Sequence, residues 1–181
     1  MGDITNIETL SMFMTMFRGW FKNKDANYNY FVKALLKGSL KEMNIYMNDV
    51  ALATFSSFDT GKKPSEKSQL ERFYHGFVLE LLVELRDRYQ IRSNRESGYG
   101  RYDVMLTPVT EVDDAIVIEF KVHEPDEGES LKDTVRVALA QIMEKNYDAE
   151  LLAQRISADR IRHYGFAFEG KKVLIGQDGK I

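Results

Sequence analysis

The pattern of apolar and polar residues is sharpest in the middle of the chain, where it predicts two strands joined by a turn. One apolar segment runs from Arg101 to Leu106, and a second, rich in β-branched residues, runs from Ala115 to Phe120. Short apolar runs of this kind are typical of buried strands. The intervening residues Thr107 to Asp114 include a proline and two adjacent aspartates, which suit a turn. The sequence therefore predicts a β-hairpin at this point.

Helical patterns dominate the chain before this hairpin. Apolar residues recur along segments that predict four helices: Met1 to Trp20, Tyr28 to Leu36, Leu40 to Asp49 and Leu70 to Tyr89. Ser68, with Glu71 three residues later, has the spacing of a capping box and predicts the start of the fourth helix. The methionines of the first helix suit adaptable packing against a neighbouring surface.

The segment from Ser56 to Ser68 predicts a linker, because it is rich in Ser, Gly, Lys and Pro and has little to bury. We expect it to divide the chain into a helical extension, residues 1–62, and a second domain, residues 63–181. The remaining elements predicted in the second domain are a short strand from Tyr89 to Ser93, a polar glycine loop from Asn94 to Gly100, a helix from Leu131 to Tyr147 that starts at Ser130, and strands from Arg160 to Phe168 and from Lys171 to Gly176. The order helix, three strands, helix, two strands predicts an α/β sandwich with a mixed sheet and helices on its faces.

Three ionisable residues interrupt the hairpin strands and are the main candidates for chemistry. Glu119 and Lys121 are two apart, so they project from the same face of a strand. Asp103 lies mid-strand, where a carboxylate is costly to bury unless it is paired, and hairpin pairing brings it to that face. Two neighbouring carboxylates repel each other unless a proton or cation lies between them, and Mg²⁺ or Mn²⁺ suits such oxygen ligands. Spacing alone leaves open a purely structural ion pair of Glu119 or Asp103 with Lys121 or Arg101.

Composition narrows the classes of function. The 181 residues suffice for one domain of ordinary size and a modest extension. The net charge of −3 provides no global basic field, so nucleic-acid binding requires a local basic patch. The absence of cysteine excludes disulfides, zinc–thiolate sites and a cysteine nucleophile. No segment resembles a signal peptide or a membrane span, so we expect a cytoplasmic protein without membrane contact.

The polar loop before the hairpin offers two candidate phosphate contacts. Arg95 and Arg101 flank its glycines, and each could bind a phosphate bidentately or pair with Glu96. Gly98 and Gly100 permit backbone conformations that suit either a close approach to phosphate or a tight turn. His75, in the helix before this loop, is expected to be packed or hydrogen-bonded rather than catalytic.

Asp103 followed by Glu119-Phe120-Lys121 resembles the D…(D/E)-x-K core of the PD-(D/E)XK nuclease superfamily. The resemblance extends over roughly Leu70 to Gln177 and is carried by four ordered segments: SNRESGYGRYD, IVIEFK, ALAQIMEKNY and YGFAFEGKKV. Together these segments resemble a bacterial and archaeal branch in which the nuclease-like domain follows an AAA-ATPase-like domain on one polypeptide. The sequence carries no P-loop motif, so the resemblance implies a fragment or a stand-alone form.

This resemblance implies a restriction-endonuclease-like fold and metal-dependent hydrolysis of nucleic acid, with DNA as the expected substrate. Asp103 and Glu119 would bind Mg²⁺ or Mn²⁺ and Lys121 would position the attacking water. Glu80, on the first core helix, would be a further metal ligand, with Glu84 one turn later as the second choice. Gln141 and Tyr147 resemble a glutamine-and-tyrosine element that lines the site in one group of these nucleases. The resemblance implies that Gln141 is a catalytic residue that helps to orient the lysine or the substrate, and that Tyr147 binds substrate.

Two other outcomes stay open at this point. The domain could be a catalytically silent binding module with the nuclease fold, acting with an ATPase-like domain in cis or in trans. A homodimer formed through the Met-rich first helix is compatible with either function.

Overall fold

A five-stranded mixed sheet forms the centre of the computed structural model, which describes residues 28–55, 64–124 and 129–181. Its strands follow one another in chain order: β1 (Tyr89–Ser97), β2 (Gly100–Pro108), β3 (Ala115–Val122), β4 (Ile161–Glu169) and β5 (Lys172–Gln177). Neighbouring strands are antiparallel except β3 and β4, which are parallel. The parallel pair requires a crossover, and helices supply it.

The helices cover both faces of the sheet. They are α1 (Tyr28–Lys37), α2 (Leu40–Phe55), α3 (Pro64–Leu82), α4 (Leu131–Glu144) and α5 (Ala149–Ala153), with single 3₁₀ turns at Val83–Leu85 and Ala158–Arg160. Helices α1 to α3 share one hydrophobic core with the sheet, and α4 and α5 share a second core on the opposite face. The predicted α/β sandwich with a mixed sheet is confirmed. None of the helices described is long and apolar enough to cross a lipid bilayer.

Strand β3 lies between the two cores, which explains its continuous apolar pattern. Ile116, Ile118 and Phe120 pack into the core of α1 to α3, whereas Ala115 and Val117 pack into the core of α4 and α5. A strand buried on both faces loses the alternation of polar and apolar residues. Glu119 therefore lies on a face that α4 covers, in the middle of the molecule rather than on an open sheet.

Several predicted boundaries are wrong, and two of them lie around the first core helix and the first strand of the sheet. The residues Asn94 to Gly100 are not an extended loop, because β1 continues to Ser97 and only Gly98 and Tyr99 form the turn. Their polar character reflects the exposed edge of the sheet rather than a loop. Helix α3 begins at Pro64 instead of after Ser68, which matches the preference of proline for the first helical position.

The start of α4 follows its sequence signal. Ser130 is the N-cap, and its side chain and that of Asp133 form a reciprocal capping box. The helix ends at Glu144, earlier than the predicted Tyr147, and Asn146 then adopts a left-handed backbone conformation with φ of 51°. This early end places Tyr147 in a turn rather than on the helix.

The described part of the N-terminal region belongs to the core of the sheet. Phe31 of α1 packs edge-on against Phe166 of β4, with ring centroids 6.5 Å apart. The predicted first helix lies outside the described residues, as does most of the predicted linker. The division of the chain between residues 62 and 63 stays a prediction.

Helix α2 covers the free edge of β5 through two asparagines one turn apart. The Asn44 amide donates to the Ile175 carbonyl (2.9 Å) and accepts from the Ile175 N–H (2.8 Å). Asn48 makes the same pair of bonds with Val173, at 2.8 and 3.0 Å. The two spacings match, because four helical residues rise about 6 Å and two strand residues about 6.8 Å. The edge that would otherwise invite pairing with another chain is thereby satisfied.

We expect Asn44→Ala and Asn48→Ala each to lower the free energy of unfolding by about 1–2 kcal/mol, because each leaves a strand N–H and a carbonyl without partners. Urea unfolding followed by circular dichroism measures the loss. Asp49→Ala, an exposed position on the same helix, is the matched control and should change stability by less than about 0.5 kcal/mol. Equal losses in the asparagine variants and the control would contradict this role for α2.

Candidate active site

Asp103 lies where the pairing of β2 with β3 ends. The last paired residues are Val104 and Ile118, so the next positions in this register are Asp103 and Glu119. Instead of a backbone ladder bond, the Asp103 carboxylate accepts a hydrogen bond from the Phe120 N–H at 2.8 Å. This bond fixes the Asp103 side chain against the backbone that carries Glu119 and Lys121.

Glu119 is the most buried ionisable group of the site. Only 2% of the surface of Glu119 is exposed to solvent. Oε1 accepts from the Lys121 ammonium at 3.1 Å and from the Gln141 side-chain amide. Oε2 is buried and has no hydrogen-bond partner. One carboxylate oxygen is thus fully occupied and the other is left over.

A chain of hydrogen bonds from α4 holds Glu119 in place. The Gln141 amide donates to Glu119 and also to the Tyr147 hydroxyl, at 2.9 Å. The Tyr147 hydroxyl in turn donates to the Arg101 carbonyl at 2.7 Å. The predicted Gln141 and Tyr147 therefore meet at the site. Tyr147 is buried and supports Gln141, so the structure gives it a positioning contact rather than a surface for substrate.

The electrostatics of the two carboxyl groups follow from this arrangement. Burial and the neighbouring Asp103 charge raise the pKa of Glu119 to about 7, although Lys121 acts in the opposite direction. Burial also raises the pKa of Asp103, against the lowering effects of the Phe120 N–H, His75 and Lys121. The pair therefore carries more negative charge than its surroundings neutralise, and a proton or a cation relieves it.

The residues present fit a hard divalent cation. Oε2 of Glu119 lies beside Asp103 without a hydrogen-bond partner, so it is available as an oxygen ligand for a cation. Mg²⁺ commonly binds through one or two carboxylates and completes its shell with waters and phosphate oxygens. Within the described ranges, no group of three or more His, Asp or Glu side chains could hold a metal ion. The two carboxyl groups of the site are those of Asp103 and Glu119.

The comparison with protein families agrees with this geometry. The model for the PD-(D/E)XK nuclease superfamily matches residues 69–178, which span the sheet, α4 and the site. The chain belongs to the PD-(D/E)XK nuclease superfamily. No match was found among curated proteins or solved structures. Asp103, Glu119 and Lys121 lie within the matched residues, in the order of the D…(D/E)-x-K motif.

The first core helix of this nuclease-like domain presents His75 to the site, not Glu80. The His75 ring packs 5.3 Å from the Phe120 ring, and its Nε2 lies 2.7 Å from the Ser93 hydroxyl. Glu80 is exposed and lies about 140° around the helix from His75. Glu80 as a metal ligand stays a prediction, and this arrangement does not favour it. The way α3 packs on the sheet sets the face of the helix that is turned toward the site, and that face carries His75 rather than Glu80.

The predicted arginines lie at the surface beyond the site. Arg95 and Arg101 are exposed on the β1–β2 hairpin, and Arg101 is directly opposite Glu96 in the ladder. Arg162, another cation near a strand start, pairs with Asp114 and donates to the Leu36 carbonyl at 2.9 Å. Arg162 therefore ties α1 to the sheet, whereas Arg95 and Arg101 are exposed, and substrate binding by them stays a prediction.

His163 is buried between two carboxylates behind the site. Its Nε2 lies 2.8 Å from Asp148 and its Nδ1 lies 2.6 Å from Asp178. Both ring nitrogens must donate in this geometry, and only the imidazolium has two N–H groups. Burial by itself lowers the pKa of His163, but the hydrogen bonds and charges of Asp148 and Asp178 outweigh burial and raise it. The histidine thus links the α4–α5 turn to the end of β5.

We expect His163 to stabilise the fold more at low pH than at high pH. Because its folded pKa is raised, its contribution is complete below the unfolded value of about 6.5 and is lost as the pH rises through the folded pKa. The difference in unfolding free energy between wild type and His163→Gln should therefore shrink from pH 6 to pH 9 in urea titrations. Asp178→Asn should weaken this trend. A difference that grows with pH would contradict the imidazolium assignment.

Proposed function

We propose that this chain is a metal-dependent nuclease that hydrolyses phosphodiester bonds, with DNA as the expected substrate. The observation that carries the proposal is the buried Glu119 carboxylate, whose Oε2 has no partner beside Asp103 and next to the Lys121 ammonium. A buried excess of negative charge is destabilising, so it persists where a function uses it. Superfamily membership supports the same reaction class.

Asp103 and Glu119 are the residues that would hold Mg²⁺ or Mn²⁺. A divalent cation held by these residues would supply positive charge to the phosphate and would make a water molecule more acidic. The contact of Asp103 with the Phe120 N–H keeps the two carboxyl groups at a fixed separation. Groups that are already fixed in place do not need to reorient during the reaction, whereas water molecules in their place would.

Lys121 is the residue that would act on the reacting groups. Its side chain is 30% exposed while its ammonium contacts Glu119, so it lies at the boundary between the buried carboxylate and solvent. An ammonium there can hold the attacking water in line with phosphorus and donate to a phosphate oxygen that gains negative charge. The water then adds to phosphorus and releases a proton to solvent, the bond to the leaving oxygen breaks, and that oxygen takes up a proton from solvent.

Gln141 would act as a positioning residue. It occupies Oε1 of Glu119 together with Lys121, which leaves only Oε2 for a cation. Tyr147 fixes the Gln141 amide, since its hydroxyl accepts from the amide and donates to the Arg101 carbonyl. The orientation of Glu119 thus depends on contacts that do not involve the substrate.

The test is cleavage of labelled single-stranded, duplex and branched DNA and RNA with Mg²⁺, with Mn²⁺ and with EDTA. Wild type should cut at least one substrate only when metal is present. Asp103→Asn is the informative variant, because an asparagine oxygen can still accept from the Phe120 N–H while the charge is lost. Cleavage that persists in EDTA, or that is unchanged in Asp103→Asn, would overturn the proposal.

A catalytically silent binding module with the same fold is the second candidate. The net charge of −3 and the two-carboxylate site favour it, because avid binding of nucleic acid and dense metal ligation both call for more charge. Such a module would act with an ATPase-like domain in cis or in trans. The intact Asp103, Glu119 and Lys121 favour the enzyme. Nucleic-acid binding without cleavage under any metal condition would favour the module.

A further inference from the structure

The β1–β2 hairpin tip carries the most exposed aromatic ring close to the candidate active site. Tyr99 lies at the turn and is 81% exposed. Single exposed apolar residues are common on protein surfaces, so exposure alone has no functional meaning. The rigid turn that carries Tyr99 and the charged residues around it indicate a function for the exposed ring.

The tip is fixed rigidly against the C-terminal end of α4. The Tyr99 N–H donates to the Lys145 carbonyl at 2.7 Å, and the Ser97 hydroxyl donates to the Tyr147 carbonyl at 2.7 Å. Gly98 has φ of +60°, and a Cβ there would lie 2.2 Å from the Asn146 carbonyl oxygen. Only glycine fits this approach. The Tyr99 ring is thus held outward on a clamped turn rather than on a loose loop.

The clamp connects the tip to the catalytic carboxylates. Tyr147, which accepts from Ser97 through its backbone, contacts Gln141 through its hydroxyl, and Gln141 contacts Glu119. Asp103 follows Tyr99 by four residues, which span at most about 13 Å when the chain is extended. This distance corresponds to about four stacked nucleotides at ~3.4 Å each.

The charges around the tip suit a polyanion. Arg95 and Arg101 are exposed on the hairpin, and the Lys145 stem lies against Gly100. Glu96 lies opposite Arg101 and the exposed Glu144 precedes Lys145, so the three cations exceed the acidic residues next to them by one. In a chain with a net charge of −3, nucleic-acid binding requires such a local excess of cations. An aromatic ring among cations is the arrangement that binds single strands, by stacking on bases and pairing with phosphates.

We propose that Tyr99 stacks on an unpaired base about four nucleotides from the bond that is cut, so that the substrate is single-stranded or carries a single-stranded end. A blunt duplex offers phosphates to the arginines but keeps its base faces stacked inside, apart from its two end pairs. The rigidly held Tyr99 ring therefore distinguishes a single strand, whose base faces are accessible, from a blunt duplex. This inference rests on the proposed nuclease function for the position of the cut, whereas its binding test is independent of cleavage.

Fluorescence anisotropy in EDTA, where no cleavage is expected, tests the inference with a labelled 20-nucleotide single strand and the matching blunt duplex. Wild type should bind the single strand more tightly than the duplex. Tyr99→Ala should weaken single-strand binding about ten-fold, and Tyr99→Phe, which keeps the ring, should stay within about two-fold. Val112→Ala is the control, because Val112 is 87% exposed on the β2–β3 turn, away from the tip. Its affinity should equal that of wild type.

Two results would overturn the inference: Tyr99→Ala binding the single strand as wild type does, or losing affinity for single strand and blunt duplex alike. The fate of the proposed function is read separately from metal-dependent cleavage. A protein that binds single strands through Tyr99 and never cuts them keeps the stacking contact but loses both the nuclease function and the position of the cut. If wild type cleaves and Tyr99→Ala binds and cleaves as wild type does, the proposed function stands and the inference about Tyr99 is wrong.

Discussion

Lys121→Ala should reduce metal-dependent cleavage by about 10²–10³-fold while leaving Mn²⁺ binding in place. The lysine ammonium contacts Glu119 Oε1 and not the partnerless Oε2, so its removal spares the cation position. The loss of rate follows from the loss of a preorganised donor next to the developing charge, which is worth this factor in other hydrolases. Single-turnover cleavage assays and Mn²⁺ calorimetry on the same preparation separate the two effects.

Two further variants make this prediction sharp. Lys121→Met keeps the aliphatic stem and should lose the same activity, which excludes a packing effect of the alanine. Lys132→Ala removes an exposed lysine from the first turn of α4 and should cleave like wild type. Lys121→Ala cleaving within about two-fold of wild type would show that the ammonium is only a structural partner of Glu119.

Glu119→Gln should abolish cleavage and at the same time stabilise the metal-free protein. The raised pKa of about 7, against 4.5 for an ordinary glutamate, means that the folded state disfavours the Glu119 carboxylate. This unfavourable contribution to folding is absent below about pH 4.5, grows as the pH rises to about 7 and stays constant at higher pH, where it is on the order of 3 kcal/mol. Glutamine removes it, because its oxygen still accepts from Lys121 and Gln141 and its NH₂ group can face Asp103.

The measurement is urea unfolding of both proteins in EDTA at pH 5 and pH 8, repeated with Mn²⁺ at pH 8. The variant should exceed wild type in stability at pH 8, and the difference should be much smaller at pH 5. Saturating Mn²⁺ should stabilise wild type and not the variant, since only a folded-state ligand shifts the equilibrium. A variant less stable than wild type at pH 8 would mean that the charged carboxylate is well solvated or well paired in the fold.

The sequence predicts those parts of the site that depend on strand geometry. The same-face placement of Glu119 and Lys121 follows from the two-residue period of a strand, and hairpin pairing brings Asp103 to them. The order of strands and helices follows equally from local patterns. The resemblance to the superfamily predicts Gln141 and Tyr147 at the site, and their contacts depend on how α4 packs on the sheet.

The remaining features depend on residues that are far apart in the chain. His75 faces the site because α3 packs on β3 in one helical phase, which no local pattern sets. The His163 imidazolium needs Asp148 and Asp178, which come from separate turns. Asn44 and Asn48 look like ordinary surface residues of a helix until β5 is placed beside them. Tertiary packing decides each of these, so periodicity cannot reveal them.

The proposed function depends above all on the binding of a divalent cation by Asp103 and the free oxygen of Glu119 together. Calorimetric titration of Mn²⁺ into wild type and Asp103→Asn at pH 8 tests it most directly. One equivalent of Mn²⁺ should bind to wild type, and the heat of binding should disappear in Asp103→Asn, which keeps its hydrogen bond to Phe120 and its fold. Equal Mn²⁺ binding by both proteins would contradict the claim.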